Sequence, residues 1–514
     1  MTIDLLLREA RRLPANVPAR HVLVDAAQWM ASAQRLHDQG SSLLALWGTD
    51  DRDRDGVFRI FAAFLLPDQV LVLEHALAGG ALGYPALTRW FAVADRLQRA
   101  VYDLLGLEAD SGDTRPWLRH GGWPENCFPL RRDVALAITF PGRPRPYPFV
   151  PVQGDGVHEI AVGPVHAGTI EPGHFRFSVV GEKVLRLEAR LGYTHKGIAK
   201  RFENLPLQEG HRLAARICGD STVAFAWAYC AALEAITEIE LPRRAACLRA
   251  LALERERLAN HLGDLGALGN DAGLAFGLMQ FSSLKERLVR LNQEVFQQRY
   301  LFDYLIPGGV AVDPGVRHVR ALLDEATMLE QAVPRLRAIY ENHAGLQDRF
   351  RDTGVLSPEL AKAQGVIGLV GRASGVAQDL RVDLPWPPYD RLRPNRALAS
   401  AGDVAARVQL RFDEVMESLR LCRTLLETLP PGSSQLAMPA AEPGRLGIGC
   451  IEGWRGPVMI ALETAADNRV RRCHVHDPSW QNWPLVEYAI IGNIVPDFPL
   501  INKSFNLAYS GHDG

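Results

Sequence analysis

The sequence contains few cysteines, and their spacing excludes two kinds of architecture. Seven cysteines are scattered over 514 residues, and no two of them are separated by only two residues. Disulfide-rich secreted domains and cluster-binding proteins both place their cysteines at short, regular intervals. The sequence therefore excludes a disulfide framework and a cluster held by this chain. Any iron–sulfur cluster is predicted to belong to a partner.

Long apolar segments are also absent. A membrane-spanning helix needs about 20 consecutive, predominantly apolar residues, whereas the best run extends from Val223 to Leu233 and ends at Glu234. Near the N-terminus, Asp4, Arg8 and Glu9 lie where a secretory signal would need an uninterrupted apolar stretch. We therefore expect a chain that neither spans a membrane nor is exported by that route.

No excess of charge of either sign is present. The 57 Lys and Arg residues and 59 Asp and Glu residues give a net charge of −2. A balance of this kind provides no overall attraction for nucleic-acid phosphates, so no nucleic-acid partner is expected.

The composition, 47% hydrophobic and 23% charged, is that of a folded protein. At about 150 residues per domain, the length predicts two or more domains.

A proline-rich stretch separates two parts of different character. Strand-like residues 57–64 and a helical pattern at 92–105 predict a small α+β domain over residues 1–138. Four prolines follow within eight residues, and because proline lacks a backbone donor and favours extended chain, residues 139–155 are predicted to be a linker.

The remaining residues, 156–514, form the second predicted domain. Short apolar alternations at 156–184 indicate a β-meander, whereas residues 205–429 are mainly helical. After Gly444 the pattern returns to strand and loop, with prolines at 478, 484, 496 and 499. The predicted fold class is α+β, with a small N-terminal α+β domain and a large, mainly α-helical domain that contains the meander.

Several segments resemble one known family. Residues 162–177, 191–198, 254–266, 270–273 and 371–383 resemble, in order, the large subunit of membrane-bound, energy-converting [NiFe]-hydrogenases. The 49 kDa subunit of respiratory complex I shares these signatures. Residues 90–106 and 123–132 look like the complex I 30 kDa subunit, here fused as in the large subunit of formate hydrogenlyase, subunit 5.

The resemblance implies four cysteine ligands for a Ni–Fe centre, and three are missing. Soft thiolates hold nickel and bridge it to iron. In the first of the two ligand motifs, Cys218 is retained, but Ser221 replaces the second cysteine. In the C-terminal motif, Asp477 and Pro478 are retained, but Ser479 and Asn482 replace both cysteines. The sequence therefore predicts that the Ni–Fe centre and hydrogenase activity are absent and that this chain binds no metal.

The residues that bracket quinone in complex I are missing as well. Alignment on the complex I motifs places Ile170 where the quinone-binding histidine belongs and Gly219 where the tyrosine belongs. A quinone could bind only in a different way. Tyr193 is one candidate for the tyrosine's role.

Residues suited to proton transfer are retained. Glu171 matches the glutamate that hydrogenases place beside the active-site thiolates, and a partly desolvated carboxylate can have a raised pKa. A hydrogen-bonded charge network toward the membrane subunits is a further expectation. Its candidate members, which match cavity-lining or nearby positions of the family, are His166, His174, Asp220, Asp271 and Arg372.

Two of the candidate residues, Cys218 and Glu171, could have simpler roles than metal binding or proton transfer. Cys218 alone could be an inert buried thiol, and Glu171 could form a local salt bridge with a residue such as Arg176. Bulky side chains in the former metal cavity would favour a structural role for the chain. Phe225, which replaces a family histidine, and Trp480 are the two to examine.

Three functions follow as hypotheses from the resemblance. The first is a large-subunit homologue in a complex I-like membrane oxidoreductase that couples electron input to proton or ion movement without hydrogenase activity. The second is a non-catalytic subunit that bridges its partners. The third is a quinone-reducing subunit with an atypical site. The implied partners are a small [4Fe-4S] subunit and a membrane arm. The implied location is peripheral, on the cytoplasmic side of the cell membrane.

Overall fold

The computed structural model describes residues 3–110, 113–120, 123–136, 142, 146–166 and 170–514. Its N-terminal part is a five-stranded sheet in the order β1-β2-β5-β4-β3, antiparallel except for the β2·β5 pair. The strands are β1 (Arg11–Arg12), β2 (Ala19–Leu23), β3 (Ser42–Asp51), β4 (Val57–Leu65) and β5 (Val70–Leu77), with a separate pair β6 (Gly83–Tyr84) and β7 (Glu108–Ala109). The helices are α1 (Ile3–Glu9), α2 (Ala26–Asp38) and α3 (Ala94–Leu105).

Strands β3 and β4 are buried along nearly their whole length. An alternating pattern is expected only when one face of a strand meets solvent, and here both α3 and the C-terminal strand β15 (Val470–His476) pack against β3. The Trp47 ring on β3 stacks between Phe61, at 5.1 Å, and His474 of β15, at 4.9 Å. This stack ties the N-terminal sheet to the rest of the chain.

Among its described residues, the larger part contains two three-stranded sheets and a short hairpin. The first sheet is the predicted meander, β8 (Val157–Val162), β9 (His174–Val180) and β10 (Lys183–Arg190), and the hairpin is β11 (Leu305–Ile306) with β12 (Gly309–Val310). The second sheet is β13 (Leu446–Glu452), β14 (Pro457–Thr464) and β15, all antiparallel.

Helices make up most of the larger part. They are α4 (Ile198–Arg201), α5 (Gly210–Ala214), α6 (Thr222–Ile236), α7 (Arg243–Asp271), α8 (Ala275–Phe296), α9 (Val316–Asn342), α10 (Ala344–Phe350), α11 (Pro358–Ala363), α12 (Gly368–Ala373), α13 (Leu380–Asp383), α14 (Tyr389–Leu392), α15 (Val404–Glu427), α16 (Ser479–Ala489), α17 (Phe498–Phe505) and α18 (Ser510–Asp513). Within the described ranges, none of these helices combines the length and the apolar character that a bilayer crossing requires. The predicted α+β fold class is confirmed.

Helix α7 lies at the centre of this helical part. It packs against α6, α8, α15 and α17, and the leucine stripe at 248, 251, 258, 262 and 265 is buried. Helix α6 is buried on all sides and lies against β13 at close range. A Cβ on Gly449 would stand 1.9 Å from the carbonyl oxygen of Ala228, so only glycine permits this approach.

The prediction of strand and loop after Gly444 is correct only as far as His476. Beyond it the chain forms helices α16 and α17. Pro499 lies in the first turn of α17, where proline removes no helical hydrogen bond. Pro484 lies inside α16, whose Trp483, Leu485 and Val486 are buried, so tertiary packing overrides the local preference.

The linker predicted at 139–155 lies partly outside the described residues, and the domain boundaries remain predictions. The N-terminal segment is joined to the second sheet by side-chain and backbone contacts. The Asn16 side-chain amide donates to the carbonyl oxygen of Cys450 at 2.8 Å, and its oxygen accepts from the Cys450 N–H at 2.9 Å. The N-terminal unit therefore packs directly on β13.

Candidate functional site

Cys218 lies in the turn that precedes α6, and it is held as a neutral thiol. Its Sγ donates to Oδ1 of Asp220 at 2.9 Å. Burial raises the pKa of the Cys218 thiol well above its ordinary value, and the negative charge of Asp220 raises it further. A thiol that keeps its proton is a poor nucleophile and a poor metal ligand.

Arg455 supplies the positive charge at this centre. It lies in the turn between β13 and β14, and its two terminal nitrogens each donate to one carboxylate oxygen of Asp220 at 2.6 Å. The same Nη1 atom is 3.3 Å from Oγ of Ser221 and 3.8 Å from Sγ of Cys218. Burial raises the pKa of Asp220, but the charge and hydrogen bonds of Arg455 lower it more, so the net change is downward.

The two charges of this pair differ in their access to solvent. The Arg455 side chain is 5% exposed and that of Asp220 is 40% exposed. The backbone around Arg455 is tightly enclosed, because a Cβ on Gly368 would stand 1.9 Å from the Arg455 carbonyl oxygen. Asp220 therefore anchors a buried cation while keeping one side of its carboxylate toward water.

Glu171 lies against the C-terminal turn of the chain. Its Oε2 accepts a hydrogen bond from the backbone N–H of Ser510 at 3.0 Å, and the residue is exposed in the isolated chain. Arg176 pairs with Glu159 at 2.8 Å and not with Glu171. The desolvated cavity that we expected for Glu171 is not formed by this chain alone.

His166 and His174 close the loop that carries Glu171. Nε2 of His166 is 2.7 Å from the Gly173 carbonyl oxygen, and Nδ1 of His174 is 3.2 Å from that of Gly163. Burial lowers the pKa of His174. Both imidazoles therefore hold the two arms of the loop together.

Arg372 belongs to a separate, fully buried charge cluster. It donates to Glu414, at 2.6 Å, and to Glu452, at 3.1 Å. Three arginines and four carboxylates form this cluster, namely Arg257, Arg372, Arg381, Glu254, Asp379, Glu414 and Glu452. Burial and the nearby charge of Asp379 raise the pKa of Glu452 to about 7.

A chain of contacts joins this cluster to the Cys218 centre. The side-chain N–H groups of Asn260 and Trp454 both donate to the Asp220 carbonyl oxygen at 2.8 Å. The Trp454 ring meets His261 edge-on at 6.0 Å, and Nε2 of His261 is 2.8 Å from Glu414. By contrast, Asp271 lies at the exposed end of α7 and is not part of this chain of contacts.

Ser479 and Asn482, at the start of α16, make structural hydrogen bonds. Oγ of Ser479 accepts from the Ala508 N–H at 2.9 Å. The Asn482 side chain donates to the carbonyl oxygen of Ile367 at 3.1 Å and accepts from its N–H at 3.3 Å. Neither α16 nor the turn at 506–514 contains a cysteine, so neither supplies a second sulfur.

Two family models match the chain in succession. Residues 22–139 match the respiratory-chain NADH dehydrogenase 30 kDa subunit, and residues 271–445 match the 49 kDa subunit of the same enzyme. Formate hydrogenlyase subunit 5 of Escherichia coli K12 is 29% identical over 489 residues, which cover 93% of this chain and 85% of that protein. The carbon monoxide-induced hydrogenase of Rhodospirillum rubrum is 30% identical over 354 residues, 68% of this chain and 97% of that protein.

The chain belongs to this family of complex I 49 kDa and hydrogenase large subunits. A complex I 30 kDa domain is fused to its N-terminal side. A chain in the structure of the membrane-bound sulfane sulfur reductase, an archaeal respiratory membrane complex, has the same architecture. That chain is 26% identical, with a TM-score of 0.66, and the match covers 71% of this chain and 100% of that one.

The Ni–Fe centre of the hydrogenases in this family does not fit the residues present here. Its four positions would require four thiolates, and only Cys218 carries sulfur. That thiol is protonated toward Asp220, and a guanidinium lies 3.8 Å from its sulfur. Within the described part of the chain, no group of three or more His, Cys, Asp and Glu side chains is arranged to hold a metal ion.

Arg455 is not among the site residues predicted from the sequence. A charged residue flanked by glycines at 453 and 456, between two apolar strands, indicates a hairpin turn and hence an exposed side chain. The structure buries it instead, because α12 and the Cys218 loop pack over the turn.

Asp513 is a second site residue that the sequence did not predict. It accepts from the N–H groups of Gly192 and Thr194, both at 2.9 Å, and ties the C-terminal turn to the loop after β10.

Proposed function

We propose that this chain is the large subunit of a complex I-like membrane oxidoreductase that has no hydrogenase activity. In this proposal electrons arrive from a [4Fe-4S] cluster in a small partner subunit, and their transfer drives proton or ion movement through a membrane arm. The chain would lie at the cytoplasmic face of the cell membrane. Its kinship with formate hydrogenlyase subunit 5 and with a chain of an archaeal respiratory membrane complex supports this role.

The position of Arg455 carries the proposal that hydrogenase activity is absent. A guanidinium bonded to Asp220 and within 3.8 Å of Cys218 supplies positive charge where the family motif would present thiolates to a metal. A second cation in the same space would meet strong repulsion. The centre therefore holds a protonated thiol and an ion pair.

Proton transfer would use the titratable groups that lie near this centre. The Asn260, Trp454 and His261 contacts connect Asp220 to Glu414 and the buried cluster. Glu452, with a pKa near 7, can change protonation at physiological pH. Glu171 would connect the centre to the partner-facing side, where a docked subunit would remove it from water.

A structural role is the second candidate, and one observation favours it. Phe225 and Trp480 are both buried, and Trp480 stacks on His512 at 4.0 Å. Two large buried side chains at these positions would leave less space for an acceptor. On this reading the chain holds the cluster subunit and the membrane arm together without redox chemistry of its own.

An atypical quinone site is the third candidate. A cavity of about 630 Å³ lies between the 30 kDa-like domain and the meander, and Tyr193 lines it together with His120, His174, Arg190 and aromatic side chains. The Tyr193 and His120 rings meet edge-on at 4.3 Å. The cavity is large enough for a planar ring. Its lining combines aromatic rings with several arginine and histidine side chains, which could donate hydrogen bonds to the oxygens of a quinone.

Metal analysis of the intact complex tests the first proposal. We expect no nickel in complex purified under anaerobic conditions, no infrared bands of iron-bound CO or CN, and iron in amounts that the partner clusters account for. The reason is that one protonated thiol cannot hold a Ni–Fe pair. Elemental analysis and infrared spectroscopy of the same sample give the answer.

A hydrogenase of this family, purified in parallel, is the positive control. Stoichiometric nickel together with CO and CN bands in the present complex would contradict the ligand argument and restore hydrogenase activity. Turnover with artificial electron acceptors then separates the remaining candidates. A complex that assembles but transfers no electrons past the small-subunit cluster would favour the structural role.

A further inference from the structure

A cavity of about 100 Å³ lies between the N-terminal sheet and the C-terminal part of the chain. Its wall is mostly apolar and is formed by side chains of β3, α3 and α4, among them Leu46, Leu97 and Ile198. Strand β15 contributes Arg472 and His474, which lie two residues apart and therefore on the same face of the strand. A charged side chain and a polar one thus share an apolar enclosure.

Arg472 carries a buried positive charge that lacks an acceptor. The residue is only 6% exposed. Its Nη2 donates to the Gly48 carbonyl oxygen at 3.4 Å, whereas its Nη1 has no hydrogen-bond partner in the described part of the chain. Arginine keeps its charge at every physiological pH, and a buried charge without a partner is costly in free energy. The cavity therefore contains a cation that is short of a negative partner.

The carboxylates that act on Arg472 through space are Glu203 and Asp51. Each of them is already 2.8–3.7 Å from two other cations. Neither carboxylate has a charge to spare for Arg472. The competing cations are Lys200 and Arg132 for Glu203, and Arg471 and Arg59 for Asp51.

His474 offers a second nitrogen without a partner. Its ring stacks on Trp47 of β3 at 4.9 Å, and its Nε2 is buried without a hydrogen bond to any described residue. Burial lowers the pKa of His474 well below its ordinary value, so the imidazole is neutral. A neutral imidazole still carries one N–H group. His474 can therefore donate one hydrogen bond beside Arg472.

The other polar side chains at the C-terminal end of the cavity already have partners. Asp513 is the only carboxylate among the described residues of the wall, and it accepts from the N–H groups of Gly192 and Thr194, both at 2.9 Å. The His195 ring is 2.8 Å from the Asp513 carbonyl oxygen, and the His512 ring is 2.9 Å from the carboxylate. The unmet demand of the cavity is thus for an acceptor at Arg472 and His474.

We propose that this cavity binds a small monovalent anion, held by Nη1 of Arg472 and the Nε2–H group of His474. One negative charge balances one guanidinium, whereas a divalent anion would leave an unpaired charge among apolar side chains. A cavity of about 150 Å³ holds benzene, so the present one has room for chloride, bromide, nitrate or acetate. The bound anion would join β15 to β3. The site is independent of the proposed redox function, since it involves neither Cys218 nor a partner subunit.

Bromide diffraction on the full-length chain or the intact complex tests the site directly. We expect an anomalous peak in contact with Nη1 of Arg472 in bromide-soaked crystals of the wild type. Urea unfolding of the full-length chain, at constant pH and ionic strength, tests it in solution. Chloride replaces gluconate, which is too large for the cavity. Above its dissociation constant, each tenfold increase in chloride should lower the unfolding equilibrium constant about tenfold.

Arg472→Met removes the cation and keeps a side chain of similar length. We expect it to lose both the bromide peak and the specific response to chloride, while general salt effects, which act equally on both proteins, remain. Arg471→Met is the matched control. Arg471 is the neighbour on the opposite face of β15, pairs with Asp51 and Asp53 at 2.8 Å and 2.7 Å, and does not line the cavity. This variant should keep the peak and the response.

His474→Phe provides a second test that does not depend on the folding of Arg472→Met. Phenylalanine preserves a ring that can stack on Trp47 but removes the N–H donor, so the chloride concentration needed for half-saturation should rise about tenfold. Water alone at Nη1 of Arg472 in bromide-soaked wild-type crystals would overturn the proposal. An equal chloride response in wild type and Arg472→Met would overturn it as well.

Discussion

Replacing Arg372 with methionine is expected to lower the free energy of unfolding of the large domain by about 3–5 kcal/mol. The guanidinium is completely buried and bridges Glu414, at 2.6 Å, and Glu452, at 3.1 Å. Methionine fills a similar volume but leaves two buried carboxylates without this cation. The cost is large because the lost partner is charged and water cannot replace it. Urea unfolding followed by tryptophan fluorescence measures the change.

Arg420→Met is the matched control. Arg420 lies on α15, the helix that also carries Glu414, and pairs with Glu417 at 2.6 Å, but its side chain is 41% exposed. Its loss should be at most about 1 kcal/mol, because Arg420 is solvent-exposed and Glu417 keeps the two hydrogen bonds that it accepts from Asn395. Equal losses for the two variants would show that the Arg372 cluster is not the electrostatic core that its contacts indicate.

The helical framework of this chain was readable from the sequence because its signals are local. Leucines spaced three, four and seven residues apart define the buried face of α7, and short alternations mark the strands of the meander. The family motifs also located the Cys218 loop and its neighbour Asp220. Each of these patterns depends only on residues close together in the chain.

The pairs of residues that form the site could not be predicted in the same way, because the two members of each pair are far apart in the sequence. Arg455 reaches Asp220 across 235 positions, and Ser510 reaches Glu171 across 339. The motifs suggested that Arg372 and Asp220 share one network. The structure instead gives each its own set of partners and joins them through Asn260, Trp454 and His261. Tertiary packing decides such pairings.

Helices α16 and α17 likewise could not be predicted from local sequence patterns. Prolines at 484 and 499 argue against helix when judged one residue at a time. Burial of Trp483, Leu485 and Val486 outweighs that local preference in α16. The result brings the turn at 506–514 against Glu171, so the part of the chain with the weakest sequence signal completes the site.

Asp220→Asn is the second change with a large expected effect, a loss of about 2 kcal/mol in the free energy of unfolding at neutral pH. Removing one partner of a buried ion pair costs about 3–5 kcal/mol, and we reduce that figure because the Asp220 side chain is 40% exposed and partly screened by water. The cation left behind is Arg455, whose side chain is only 5% exposed. Asparagine can accept one hydrogen bond but carries no charge.

The pH dependence of this loss has a definite sign. Arg455 holds the pKa of Asp220 below its ordinary value of 3.8 despite the opposing effect of burial. The stabilisation is therefore complete above pH 3.8 and disappears as the pH falls through the lowered pKa. The difference between wild type and Asp220→Asn should stay constant through neutral pH and shrink in acid, which denaturant titrations at several pH values measure.

The double variant Asp220→Asn with Arg455→Met separates the ion pair from packing. Removing the cation as well leaves no unpaired buried charge, so the double variant should be more stable than Asp220→Asn alone, and the two losses should not add. Strictly additive losses would mean that Arg455 contributes through packing against Trp454, 3.9 Å from the ring centroid, and not through Asp220. In that case packing, and not the ion pair with Asp220, would keep the Arg455 guanidinium beside Cys218.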